Sequence, residues 1–173
     1  DDILKKNIQS KRLSFTTSYQ IACEADILIL CIDTPAKKTG EPNLANLKLS
    51  LKSISSKLKK EIFLVTKSTV PIGTNEYIKN FIENRANFKV NIISNPEFLK
   101  EGCAVQDFFS PSRIVIGCES NASRKLMKEL YAPLKLPNKK FVFMKVQSAE
   151  LTKYASNSFL ATKISFINKI SQI

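Results

Sequence analysis

The chain has 173 residues, of which 43% are hydrophobic and 24% are charged, as in an ordinary globular domain. It contains no His, which excludes His-ligated metal sites and nucleophiles activated by His. The formal net charge is +12, but only four of the 27 basic residues are Arg and the Lys residues are scattered. Because Arg forms the paired contacts to phosphates and bases, no nucleic-acid partner is predicted.

The four cysteines show no C-x-x-C spacing, so neither a metal site nor a redox pair is predicted. Cys23, Cys31 and Cys118 lie in or beside apolar segments and are expected to be buried in a reducing compartment. No apolar run approaches the roughly 18 residues of a membrane span, and the first residues do not resemble a signal peptide. We therefore expect a cytoplasmic chain with no membrane partner.

Short apolar runs alternate with segments whose apolar residues recur at helical spacing. The apolar runs predict strands at 26–33, 62–65, 90–93, 113–117 and 141–144. The helical spacing predicts helices at 44–59, 75–85 and 122–131, and one long helix from 148 to the last residue. This alternation predicts an α/β fold with a doubly wound parallel sheet.

Both ends of the chain depart from the pattern of a complete dinucleotide-binding fold. The chain opens inside an amphipathic helix, ends in the middle of another, and contains no G-x-G-x-x-G loop. Such folds begin with a strand and a glycine-rich turn that meets the pyrophosphate. The first strand is therefore expected to be missing, and the sequence is interpreted as an internal segment of a longer protein.

The stretch 94–102, Ser-Asn-Pro-Glu-Phe-Leu-Lys-Glu-Gly, places Glu97 and Glu101 four residues apart. On a helix these two residues would share a face. Two carboxylates held close together cannot both ionise freely, so one of them is expected to act as an acid or base near neutral pH. The ordinary alternative is a solvated helix face.

Four segments, taken in order, resemble the family of UDP-sugar dehydrogenases. They are the Thr-Pro turn at 33–35, the Lys-Ser-Thr-Val-Pro-Ile-Gly-Thr turn at 67–74, the stretch 95–102 with its following strand 113–117, and 149–157. The resemblance covers essentially the whole chain. It implies a Rossmann-like sheet forming part of an NAD-binding domain over 1–146. It also implies the start of a central helical domain over 147–173, through which the full-length protein forms a homo-oligomer.

The resemblance implies an enzyme that oxidises the C6 alcohol of UDP-glucose to a carboxylate with two molecules of NAD. It assigns the catalytic roles to Thr69, Glu97, Lys153 and Asn157. Lys153 and Asn157, four apart on a helix, would stabilise a developing oxyanion. Thr69 would hold a water molecule, and Glu97 would be the acid or base.

The remaining implied contacts involve the cofactor and the sugar nucleotide. Thr34, Thr69 and Glu101 would lie near NAD, and Phe98 and Leu99 would offer backbone groups to the substrate. The substrate-binding set also includes Glu97, Lys153 and Asn157. Each residue has an ordinary explanation as well, such as a solvated pair, turn chemistry or a surface charge.

The family's nucleophilic Cys belongs to a glycine-rich segment that this sequence does not contain, and Cys103 is interpreted as a tolerated small residue. The 173 residues alone are therefore expected to be inactive. Three alternatives stay open. The chain could belong to a UDP-N-acetylmannosamine or GDP-mannose dehydrogenase, to a single-step hydroxyacid dehydrogenase, or to a non-catalytic remnant of a split gene.

Overall fold

A computed structural model describes residues 2–173, which form seven α-helices and five strands within that range. The strands are β1 (Ile27–Leu30), β2 (Ile62–Thr66), β3 (Val90–Ser94), β4 (Ile114–Gly117) and β5 (Phe141–Met144). The helices are α1 (Asp2–Gln9), α2 (Tyr19–Ala22), α3 (Ala45–Lys57), α4 (Thr74–Ala86), α5 (Ala104–Phe109), α6 (Asn121–Tyr131) and α7 (Val146–Ile170). Two short 3₁₀ turns, Ala132–Leu134 and Asn138–Lys140, lie between α6 and β5.

The five strands form one sheet in the order β1-β2-β3-β4-β5. β1, β2 and β3 are parallel, with Leu28 opposite Leu64 and Leu64 opposite Ile92. β4 and β5 are also parallel to each other. β3 and β4 meet in the antiparallel sense at a single pair, Ser94 and Gly117. The sheet is therefore parallel in two blocks that join at one point.

Apolar side chains cover both faces of the sheet, as expected of a doubly wound fold. One core packs α3 and α4 on the sheet and includes Leu47, Leu51, Ile62, Leu64, Ile78 and Ile82. The second core packs α6 on the opposite face and includes Val65, Ile93, Ile114, Ile116, Met127 and Tyr131. Adjacent residues Leu64 and Val65 belong to different cores because successive strand side chains point to opposite faces. The predicted α/β fold class is confirmed.

Two expectations about the first strand are wrong. β1 ends at Leu30 instead of continuing to residue 33, and Ile29 is 43% exposed. Cys31, expected to be buried, is exposed because it lies beyond the last paired residue of a strand at the edge of the described sheet. Cys23 and Cys118 are buried as predicted.

The long helix α7 has two different environments along its length. Its first two turns bury Ala149, Glu150 and Lys153 against the rest of the chain. Gly117 of β4 permits this approach, since a Cβ there would lie 2.7 Å from the Ala149 Cβ and 2.8 Å from the Val146 Cα. Among residues 2–173, no helix has the length and apolar character needed to cross a membrane.

Candidate functional site

The carboxyl ends of β1 and β2 are tied together by hydroxyl groups. The Thr34 hydroxyl donates to the Thr69 carbonyl at 2.7 Å, and the Ser68 hydroxyl donates to the Ile32 carbonyl at 2.6 Å. The Ile32 amide in turn donates to the Ser68 hydroxyl at 2.7 Å. In open α/β sheets, ligands bind beyond the carboxyl ends of the strands. Thr34 and Thr69 are therefore at the edge where a ligand is expected.

A partly buried ion pair joins this edge to α7. The Lys153 Nζ lies 2.9 Å from the Glu97 Oε1, with the Lys153 side chain 7% exposed and that of Glu97 33% exposed. Glu97 follows β3, so the pair connects the carboxyl end of a central strand to the helix packed beside it. Burying a charge is unfavourable unless an opposite charge accompanies it, and here each partner supplies that compensation.

Two cations lie over the Phe98 ring. The Lys153 Nζ lies 5.1 Å from the ring centroid and the Arg113 Cζ lies 4.5 Å from it. Both separations are within the range of cation–π attraction. The Arg113 guanidinium lies over the Phe98 ring, so Arg113 links the start of β4 to the segment that follows β3.

The expectation that Glu97 and Glu101 share a helix face is wrong. Residues 95–100 are not helical, and α5 begins only at Ala104. The Glu97 Oε2 accepts the Leu99 amide hydrogen at 2.6 Å, a local bond that competes with helix formation. Gly102 has a φ of +81°, which turns the chain before α5 begins.

The ionisation of Glu97 is set by these contacts and not by a second carboxylate. Partial burial raises the pKa of Glu97, but the Leu99 amide, the Lys153 ammonium and the charge of Lys67 together lower it by more. The net pKa lies below the usual range of a glutamate, so Glu97 is a carboxylate at neutral pH. It is thus able to accept a proton, and the expected acid with a pKa near neutral is not found at this residue.

Two of the predicted site residues lie outside the Glu97–Lys153 ion pair. Glu101 is exposed in the turn before α5, and Asn157 is exposed one turn beyond Lys153 on α7. Lys153 and Asn157 do share a helix face, as the spacing predicted. The structure thus brings together Glu97, Phe98, Leu99 and Lys153, and joins Thr34 to Thr69.

Sequence reasoning missed Glu150, whose side chain is the principal link between α7 and α4. Its Oε2 accepts the Gly73 amide at 2.7 Å, and its Oε1 accepts the Asn75 amide at 2.8 Å and the Asn75 Nδ2 at 2.7 Å. A carboxylate at a helix N-terminus satisfies amides that lack partners within the helix. The available signal was weak: a lone Glu three residues before Lys153.

Sequence reasoning also gave no role to Lys67, Asn95 or Tyr131, although two of them lie in quoted motifs. The Lys67 ammonium donates to the Asn95 carbonyl at 3.3 Å, to the Asn95 Oδ1 at 3.2 Å and to the Tyr131 hydroxyl at 3.3 Å. These contacts link the ends of β2 and β3 to α6. A lysine in a turn motif gives no sequence signal that it will be enclosed.

One groove among the described residues lies away from this site. It has a volume of about 1060 Å³ and opens where β3 and β4 diverge, lined by α4, the first turn of α6 and the first residues of α7. None of the predicted site residues lines it.

Comparison with protein families gives two matches along the chain. A sequence model described as "UDP-glucose/GDP-mannose dehydrogenase family, NAD binding domain" matches residues 1–135. A second, described as the central domain of the same family, matches residues 147–173.

Individual relatives match over nearly the whole chain. The UDP-glucose 6-dehydrogenase YwqF of Bacillus subtilis is 43% identical over 176 residues, covering 100% of this chain and 39% of the relative. A solved UDP-glucose dehydrogenase from Pyrobaculum islandicum is 36% identical with a TM-score of 0.88, covering 98% of this chain and 40% of that one. A solved GDP-mannose dehydrogenase from Pseudomonas aeruginosa is 31% identical with a TM-score of 0.87, covering 96% and 40%. The chain thus spans about 40% of the length of these relatives.

Proposed function

The chain belongs to the UDP-glucose/GDP-mannose dehydrogenase family, and we propose that it takes part in the NAD-dependent oxidation of UDP-glucose to UDP-glucuronate. The observation that carries the proposal is the Lys153–Glu97 pair, which sets a cation and a proton acceptor 2.9 Å apart beyond the end of β3. Alcohol oxidation requires both, because a proton leaves the hydroxyl while negative charge develops on its oxygen.

Within this proposal Glu97 is the proton acceptor, since its lowered pKa keeps it ionised at neutral pH. Lys153 and Asn157 face the oxygen and stabilise its developing charge with an ammonium and an amide. Thr69 holds a water molecule beside them, through which the proton reaches Glu97. In the second oxidation a nucleophile must first add to the aldehyde. The family resemblance implies a Cys thiolate from a segment outside these 173 residues, and Lys153 and Asn157 would stabilise the oxyanion of that adduct.

The polar groups beyond β1 and β2 suit a nicotinamide dinucleotide in part. Thr34 and Thr69 carry hydroxyls at the carboxyl edge of parallel strands, the chemistry that hydrogen-bonds a ribose or an amide. We propose that they and Glu101 hold the cofactor. When bound, NAD supplies the hydride acceptor for the oxidation.

The substrate contacts are assigned to the segment that follows β3. Leu99 is 38% exposed, and its backbone lies in the non-helical stretch after Glu97. Its amide already donates to the Glu97 Oε2, so its carbonyl is the main-chain group offered to a ligand. The contacts of Phe98 with Lys153 and Arg113 help to fix the path of this segment. We propose that Phe98 and Leu99 contact the sugar nucleotide through their backbone, beside Glu97, Lys153 and Asn157.

The proposal extends to domain organisation, assembly and location. Residues 1–146 would form part of the NAD-binding domain and 147–173 the start of the central helical domain. Six apolar side chains on the second part of α7 are exposed: Phe159, Leu160, Ile164, Phe166, Ile167 and Ile170. Exposed apolar surface of this kind favours association, so a homo-oligomer formed through α7 is proposed. A cytoplasmic location is proposed because the four cysteines are free thiols.

The test uses the protein as its source cell makes it, incubated with NAD and one sugar nucleotide at a time. UDP-glucose, GDP-mannose and UDP-N-acetylmannosamine are compared by the number of NADH molecules formed per sugar consumed. The proposal expects two NADH per UDP-glucose and slower turnover of the other two sugars. One NADH per sugar would favour a single-step alcohol dehydrogenase, and turnover of GDP-mannose alone would reassign the substrate.

A further inference from the structure

We propose that Lys67 is a positioning residue that fixes the 95–97 segment and thereby sets the place of Glu97. This inference rests on the proposed function for its effect on turnover. The observation behind it is that the Lys67 ammonium contacts Asn95, two residues before Glu97, and that Glu97 forms the ion pair with Lys153.

Lys67 is itself held in place by the sheet. It follows β2, and its backbone amide donates to the Leu30 carbonyl of β1 at 2.9 Å. From this anchored backbone the ammonium reaches three acceptors: the Asn95 carbonyl, the Asn95 Oδ1 and the Tyr131 hydroxyl, at 3.2–3.3 Å. An ammonium has three donors, so all of its hydrogens are used.

Asn95, the main partner of Lys67, is fixed at every polar group. It is 2% exposed, and its amide donates to the Thr66 carbonyl at 2.9 Å. Its Nδ2 donates to the Val115 carbonyl at 2.9 Å, and its Oδ1 accepts the Tyr131 hydroxyl at 2.7 Å. Lys67 supplies the charge-assisted contacts of this cluster, which are the stronger kind.

Only one residue separates this cluster from the proton acceptor. Pro96 connects Asn95 to Glu97, and its ring fixes φ near −65°. A displacement of the Asn95 carbonyl is therefore passed to the Glu97 backbone with little freedom to absorb it. Misplacing a catalytic group by about 1 Å can cost roughly 100-fold in rate.

Few charged groups lie near Glu97 and Lys67. Glu97 is faced by Lys153 from α7 and by Lys67 from the end of β2. Lys67 is faced by Glu97 and by the thiol of Cys31, with the Tyr131 hydroxyl in direct contact. Burial lowers the pKa of Lys67, and the nearby Cys31 and Glu97 oppose that change. Replacing Lys67 with a neutral side chain therefore removes one of two cations that act on Glu97.

The experiment compares Lys67→Met, Lys67→Arg and Tyr131→Phe in the native protein, with Lys89→Met as a matched control at an exposed lysine before β3. Each variant is checked by thermal melting. The readouts are kcat and KM for UDP-glucose, and the pH midpoint of the Glu97 carboxyl measured by ¹³C NMR, with Glu97→Gln as the assignment control.

We expect Lys67→Met to lower kcat by roughly 10- to 100-fold with a smaller change in KM, and to raise the Glu97 midpoint. Lys67→Arg should keep that midpoint near wild type, Tyr131→Phe should lower kcat by less, and Lys89→Met should change neither readout. A folded Lys67→Met protein with an unchanged midpoint and unchanged kcat would overturn the inference. If the midpoint moves but no sugar nucleotide is oxidised, the positioning role stands and the proposed function fails.

Discussion

The two parts of α7 form one continuous helix but differ in nearly every contact. The first part, 146–153, buries Ala149, Glu150 and Lys153 and is bonded to α4 and to Glu97. The second part, 159–170, exposes its large apolar side chains. Helical spacing is the same throughout, so tertiary packing and not helix propensity decides which residues become a site.

The largest expected effect is the loss of Glu150. Glu150→Ala leaves three donors at the start of α4 without their partner; at roughly 1–3 kcal/mol each, the total cost should be at least about 3 kcal/mol. The measurement is thermal melting of the native protein, with hydrogen exchange at the amides of α4 and α7. Glu129→Ala, at an exposed residue of α6, is the control and should change stability by less than about 0.5 kcal/mol. Equal losses of stability in the two variants would show that Glu150 contributes no more to the fold than an exposed glutamate does.

Gly117→Ala tests the close approach of α7 to β4. The added methyl would meet the Ala149 Cβ and the Val146 backbone, so α7 must move, at an expected cost of about 1–3 kcal/mol in stability. Gly40→Ala is the control: its φ of +84° makes the change strained by roughly 1–2 kcal/mol, but nothing lies within 4 Å of the new Cβ. The two variants should differ in Lys153-dependent activity, which only Gly117→Ala should lower. Full activity in Gly117→Ala would argue that the packing of α7 against β4 does not position the site.

Substitutions in the exposed second part of α7 should leave the stability of the monomer almost unchanged. Replacing Phe159 and Ile164 with Gln removes apolar surface that makes no core contact, so the monomer's stability should change by about 0.5 kcal/mol or less. If α7 forms the interface of a homo-oligomer, sedimentation velocity should show a shift toward smaller species. An unchanged sedimentation profile would place the interface elsewhere.

The smallest effect is the pH dependence contributed by Glu97. Because the folded state lowers its pKa, Glu97 stabilises the fold above its unfolded pKa, and that contribution disappears as the pH falls through the folded value. Melting temperatures of the wild type and Glu97→Gln should therefore differ at pH 7 and converge in acid. A difference that persists at the lowest pH would mean that the ion pair is not its source.

The sequence was sufficient for the parts of the fold that depend on local pattern. The apolar runs of β2 and β4 and the helical spacing of α3 and α6 correspond to observed elements within a residue or two. It failed where a local bond opposed the pattern: Glu97 accepts the Leu99 amide, and the expected helix is absent. Cys31 was misplaced because the end of a strand depends on its neighbour in the sheet.

The candidate site was predictable only through family resemblance. Lys153 and Asn157 have the spacing of any solvated helical pair, and nothing local distinguishes Lys153 from the chain's other lysines. The pairing of Lys153 with Glu97 spans 56 positions and follows from how α7 packs on the sheet. Glu150 and Lys67 were missed for the same reason, since their partners lie far away in sequence.

The most direct test of the central claim is the turnover of UDP-glucose by a Lys153→Met variant of the native protein. If the cation beside Glu97 stabilises the developing oxyanion, kcat should fall by roughly 100- to 1,000-fold while the fold persists. Lys163→Met, at an exposed lysine of the same helix, should retain wild-type turnover. A folded Lys153→Met protein that oxidises UDP-glucose at the wild-type rate would contradict the assignment of this site.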